Sequence, residues 1–162
     1  MRIFVEKKSA QSAMWLAGIA LLLLSIPLTA SAELGGDATS VVADQARMKA
    51  TLKTTQSEAY TVHEIQSPSG TVVREYISPA GKVFAVAWRG PFLPDLHQIL
   101  GASFQPFTQA VQAQKRERPG RGPVVIQQEE LVVKSAGHAR NFFGKAYLPK
   151  MLPEGVREEE IR

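Results

Sequence analysis

The chain of 162 residues contains no cysteine. That excludes disulfide frameworks, Cys-ligated zinc, iron–sulfur clusters, thiol nucleophiles and lipid attachment through an N-terminal cysteine. Histidine is scarce as well. His63, His97 and His138 lie far apart, with no H-x-H, H-x-x-x-H or H-E-x-x-H spacing, so no metal ligand set and no cofactor is read from the sequence. No G-x-S-x-G elbow, S-x-x-K motif or Walker-type lysine loop occurs. Ser78-Pro79-Ala80-Gly81-Lys82 has a superficial phosphate-loop look, which hairpin-turn duty explains fully. Glycine and proline, at 12 and 10 residues, are too few for a collagen-like or low-complexity chain. No internal repeat of 20–50 residues is visible, which removes solenoids and propellers. What remains, 44% apolar and 21% charged residues, suits an ordinary globular domain.

One apolar run stands out, near the N-terminus. Arg2, Lys7 and Lys8 precede Met14–Leu28 (MWLAGIALLLLSIPL), and Thr29-Ala30-Ser31-Ala32 follows with small residues ending in Ala-x-Ala. Basic, apolar and small in that order make a secretory leader, with cleavage expected after Ala32. The competing reading is a membrane anchor. A spanning helix needs about 20 apolar residues, and this run is shorter and carries Pro27 near its end. The protein is therefore expected in the periplasm or secreted, and not as a stable membrane protein once the leader is gone. Removing three basic residues and Glu6 leaves 16 basic and 14 acidic groups, a net charge of +2. A nucleic-acid footprint needs a concentrated basic face, so none is expected. About 130 residues without disulfides must hold their fold by burial alone, which a chain of that length achieves.

Past the leader, residues 33–57 are rich in Ala, Thr, Ser and Gln. Val41, Val42, Met48 and Leu52 give a thin apolar stripe, and Ser40 is placed to cap a helix reaching about Lys53. This segment reads as a loosely attached helix or linker. The main domain is expected over 58–153. Tyr60–Gln66, Thr71–Ile77 and Lys82–Trp88 are strand-like, separated by Ser67-Pro68-Ser69-Gly70 and Ser78-Pro79-Ala80-Gly81, tetrads suited to tight turns. A three-stranded antiparallel meander follows. Strict alternation puts Val72, Arg74 and Tyr76 on one side of the second strand. In the third it opposes Phe84, Val86 and Trp88 to Val83, Ala85 and Ala87, where the small alanines would admit a helix. That helix begins near Pro94 and Asp95, with Leu96, Ile99, Leu100, Ser103, Phe104, Phe107 and Val111 at helical spacing and a kink at Pro106. Residues 115–123 read as a basic loop, and Val124–Gln128 and Leu131–Lys134 as strands. Ala136-Gly137 reads as a turn. For 138–148 strand and helix stay open, because Gly144 interrupts the pattern. Residues 154–162 read as an acidic tail. The fold class is α+β, an antiparallel sheet in β-β-β-α-β-β order packed against one kinked helix.

Chemistry is sparser. Glu64 and Glu75 on adjacent strands are a candidate acid–base pair, and with Asp95 or His97 they define one alternative, a small envelope hydrolase. Charges on a solvated face explain the same residues. Two other features point to binding. Trp88-Arg89-Gly90-Pro91-Phe92-Leu93-Pro94 joins strand to helix with aromatics, an arginine and stiffening prolines, making Arg89 and Phe92 candidate partner anchors. Lys115, Arg116, Arg118 and Arg121 face only Glu117 in the basic loop, which makes Arg116 and Arg118 candidates for an anionic envelope component. The expectation is a non-enzymatic binding or accessory protein of the cell envelope, its partner an envelope protein or anionic component. A purely structural envelope role is the third class.

A group of short segments carries a resemblance over nearly all of the mature chain. They are Leu34-Gly35-Gly36, Thr71-Val72-Val73-Arg74-Glu75-Tyr76, Val83–Pro91, Pro94-Asp95-Leu96 with Leu100-Gly101, Gly120–Val125 and Tyr147-Leu148-Pro149. Together they resemble the exported proteobacterial family catalogued as domain of unknown function 2844. The resemblance implies a leader and a single small domain, and it brings no activity and no catalytic residues.

Overall fold

The computed structural model describes residues 33–38, 51–120 and 122–162. Among them, seven strands form one antiparallel sheet: β1 (Thr51–Gln56), β2 (Thr61–Gln66), β3 (Val72–Ile77), β4 (Val83–Gly90), β5 (Val124–Gln127), β6 (Val132–His138) and β7 (Asn141–Tyr147). Their order across the sheet is β1-β2-β3-β4-β7-β6-β5, with β4 at the centre. Between β4 and β5 the chain crosses one face as α1 (Leu96–Leu100), a 3-10 turn at Gly101–Ser103, and α2 (Phe104–Glu117). The described protein is thus mostly sheet, with a single helical element of 22 residues.

The S-P-x-G tetrads close as expected, with Gly70 N–H donating to the Ser67 carbonyl and Gly81 N–H to that of Ser78 (3.0 and 2.8 Å). The meander gains a strand on each side. Thr51–Gln56 is β1, paired antiparallel with β2, where the apolar stripe predicts helix up to Lys53. Its Thr-rich sequence favours a pleated strand, and a partner edge on β2 decides the matter. The rest of that predicted helix, 39–50, and the leader lie outside the described residues. Residues 33–38 are not loosely attached: Leu34 is buried in the core, and Gly35 N–H donates to the Val83 carbonyl at 2.8 Å.

The ambiguous 138–148 region is β7. Gly144 sits opposite Trp88 across the β4–β7 ladder, and a Cβ there would come within 2.4 Å of the Trp88 ring. The glycine that obscures the strand pattern is what lets the indole lie flat on the sheet. The β6–β7 turn falls at Ala139-Arg140, three residues beyond the expected Ala136-Gly137.

A bulge changes which face is which. Register shifts between Tyr76 and Ile77, so Phe84 and Ala85 both leave the helix side, while Val83, Val86 and Trp88 join it. Strict alternation therefore misassigns part of β4, since one inserted residue flips the side chains on one side of it. The helix packs on Val86 and Trp88 rather than on the alanines. Ile99, Leu100 and Phe107 are buried against that face, with Leu96, Phe104 and Val111 partly so. The break in the helix lies at Gly101, φ +50°, not at Pro106. Pro106 occupies the first turn of α2, where a missing N–H costs no hydrogen bond. Asp95 caps α1, accepting from the backbone N–H groups of His97 and Gln98 (2.9 and 3.2 Å). Lys115 and Arg116 belong to the last turn of α2 rather than to a loop, where cations suit the negative end of the helix dipole.

Candidate functional site: the second face of the sheet

The face turned away from the helix is built from three cross-strand rows. The first runs Thr55–Val62–Tyr76–Ala85–Tyr147–Val132–Gln127. The second runs Lys53–Glu64–Arg74–Ala87–Lys145–Lys134–Val125, and the third Gln66–Val72–Arg89–Phe143–Ala136.

The C-terminal residues, expected as an acidic tail, fold back across the first row. Ile161 is 1% exposed among Tyr76, Phe84, Ala85, Val132 and Tyr147, with Met151, Leu152 and Val156 packed beside it. Apolar residues interleaved with the glutamates give the segment a face to bury, which a count of charges hides. Tyr60, Tyr76 and Phe84 form a tilted aromatic group beneath it, with centroids 5.7–6.2 Å apart.

Charge pairing fastens this strap to the second row. Glu158 bonds Lys134, Lys145 (3.2 Å) and the Tyr147 hydroxyl (3.0 Å), and Lys145 also donates to the Glu158 carbonyl at 2.8 Å. The Lys134 ammonium, aided by Lys145 and Tyr147, holds the Glu158 carboxyl at about 2, against an ordinary 4.5. Burial, reinforced by that carboxylate, pushes the Tyr147 hydroxyl up to about 12. Arg74 donates to Glu64 (2.7 Å) and to the Arg162 carbonyl (2.8 Å), and Tyr76 both donates to that carbonyl and accepts from the Arg162 N–H. The second row is thereby largely neutralised.

The third row lies beyond the strap. From Val72 to Ala136 it floors part of a groove of about 1120 Å³, which extends over the second row to the edge of the strap. Phe143 is 45% exposed, and Val125 on the edge strand is 48% exposed. Arg89 is exposed between Val72 and Phe143, and its side chain makes no hydrogen bond or ion pair among the described residues. Trp88 points to the core and Arg89 the opposite way, as β4 alternation requires.

The other sequence candidates do not join this groove. Phe92 is 57% exposed beyond the end of β4, its carbonyl held by the Thr71 hydroxyl at 2.9 Å, and it does not line the groove. Arg116 and Arg118 lie at the end of α2. Arg118 borders a separate shallow cleft between α2 and β5, which meets the groove only at Pro123 and Val125. Glu64 and Glu75 are register neighbours of opposite sense: Glu64 lies on the strap side with Arg74, whereas Glu75 is buried on the helix side. They cannot act as one acid–base pair. Asp95 is occupied as a helix cap and the His97 ring packs on Phe104, so these four groups do not converge. Among the described residues no three His, Asp or Glu side chains gather as metal ligands. Sequence reasoning missed Phe143. The alternation of Phe143, Lys145 and Tyr147 would have found it once Gly144 was accepted inside a strand.

Comparison with known proteins gives the class. Residues 30–161 match the family model described as a protein of unknown function, DUF2844, and the chain belongs to that family. No curated protein and no solved structure matches it.

Proposed function

We propose that the protein is an exported, non-enzymatic binding protein of the cell envelope whose contact surface is the open third row of the sheet. The observation that carries this reading is Phe143, 45% exposed beside the exposed Arg89 on the part of the face that the strap leaves open. An aromatic and an arginine side by side are the residue types that concentrate binding energy, and both stand on strands, which present them without loop ordering on binding. The scatter of Glu64, Glu75, Asp95 and His97 over different faces speaks against the hydrolase alternative. Among the described residues no helix is long and apolar enough to cross a membrane. Export rests on the tripartite leader alone, and intact mass of protein from the envelope fraction tests it: a species beginning at Glu33 is expected, and one retaining residues 1–32 favours an anchor. The binding role is tested by immobilising the protein, exposing it to envelope extract and identifying what is retained by mass spectrometry. Arg89→Ala is expected to abolish retention at an unchanged melting temperature. Equal retention by the variant would remove Arg89 from the surface.

A further inference from the structure

Within the groove the third row carries a directional pattern, an exposed arginine followed by an apolar lane. From Arg89 on β4 the row continues through Phe143 on β7 and Ala136 on β6 toward Pro123 at the β5 edge, where Val125, opposite Lys134 in the second row, borders it. Of the exposed large apolar side chains on the described strands, Phe143 lies on this lane and Val125 beside its far end. The acidic side chains that line the groove already have partners, Glu64 in Arg74 and Glu160 in Arg157 and the Tyr60 hydroxyl. A ligand lying along this lane therefore meets the uncommitted guanidinium of Arg89 at one end and the ring of Phe143 and apolar side chains beyond it.

Resting on the binding-protein reading, we infer that the groove takes a single-chain anionic amphiphile, a long-chain carboxylate, with its head on Arg89 and its chain across Phe143 toward Val125. The guanidinium fork matches a carboxylate with two parallel hydrogen bonds. The chain gains by covering apolar surface that the fold leaves in water. Length agrees too. Three strand spacings from β4 to β5 span about 14 Å, close to an extended chain of roughly a dozen carbons with bonds of about 1.5 Å. A peptide is a poorer occupant, because the lane crosses the strands at right angles and offers no free strand edge for backbone pairing along its length.

Titration calorimetry with dodecanoate, dodecanol and acetate tests the inference on the purified protein. Dodecanoate is expected to bind one to one, dodecanol at least tenfold more weakly, and acetate not measurably. Arg89→Ala should weaken dodecanoate at least tenfold and leave dodecanol unchanged, whereas Phe143→Ala should weaken both. Melting curves of both variants should match the parent, since both side chains are exposed. Dodecanoate binding that is absent, or indifferent to Arg89→Ala, overturns the inference. So does binding confined to phosphatidylglycerol vesicles, which would mean a membrane surface, or a sedimenting dimer that Phe143→Ala dissolves, which would mean a second copy of the chain. If envelope extract is still retained through Arg89 while dodecanoate is not bound, the binding role stands and the amphiphile falls. If neither occurs, both fall.

Discussion

Strand β7 carries two surfaces of opposite fate on one face. Tyr147 is 7% exposed beneath the C-terminal strap, while Phe143, four residues earlier and pointing the same way, is 45% exposed. Both are aromatic, and both stand one strand from the centre of the same sheet. The difference lies in what folds over them. A strap of some fifteen residues brings Ile161 onto Tyr147 and fixes itself by Glu158, and it stops short of the third row. Closure of a sheet face is thus decided by a remote segment, and the part left open is where recognition can occur.

That contrast predicts a graded series. The largest loss is expected under the strap. Phe84, fully buried there, should lose about 3–5 kcal/mol of stability on Phe84→Ala, read from denaturant midpoints. A loss below about 1 kcal/mol would mean that the strap does not stay down in solution.

Next comes the helix side, where Gly144→Ala drives a methyl group against the Trp88 ring and the Lys134 carbonyl. Overpacking of this kind costs about 1–3 kcal/mol. The near-ultraviolet circular dichroism of Trp88 should change with it, because the indole must tilt away.

The strap's fastening is smaller and pH-dependent. Glu158 is held at about 2 in the folded protein, below its ordinary 4.5. A depressed carboxyl contributes its stability above the unfolded value, and loses it as pH falls from 4.5 toward 2. Glu158→Gln should therefore destabilise at pH 7 by about 1–2 kcal/mol, since hydrogen bonds to a charged partner are lost. The gap between parent and variant should close as the pH falls below 3. A gap that persists in acid would assign the effect to packing instead.

Smallest of all, Phe143→Ala on the open row should change stability by less than about 0.5 kcal/mol, as exposed substitutions do. A larger loss would place a permanent cover over Phe143 and remove the open surface.

Much of the fold was legible in the residues. The S-P-x-G tetrads announced the turns, alternation in β3 assigned Arg74 and Tyr76 to the side they occupy, and the stripe from Leu96 to Val111 found the helix and its buried face. Those signals are local, carried by turn chemistry and periodicity within one element. The strand misreadings needed a partner from elsewhere in the chain. β1 is a strand because β2 offers an edge, and Gly144 is tolerated because Trp88 lies on it.

Of the candidate anchors, Arg89 could be placed from its own strand, because its direction is opposite to that of Trp88. Phe143 could not, since its exposure depends on where residues 148–162 come to rest. Spacing along a single stretch is enough to set the antiparallel meander and the amphipathic helix, because turn chemistry and periodicity act within one element. Only the tertiary structure decided which face the helix covers, that Glu64 and Glu75 part company, and that one row of the sheet stays open. A one-residue bulge in β4 and a strap from the far end of the chain settle those outcomes, and both act through contacts that no local pattern encodes.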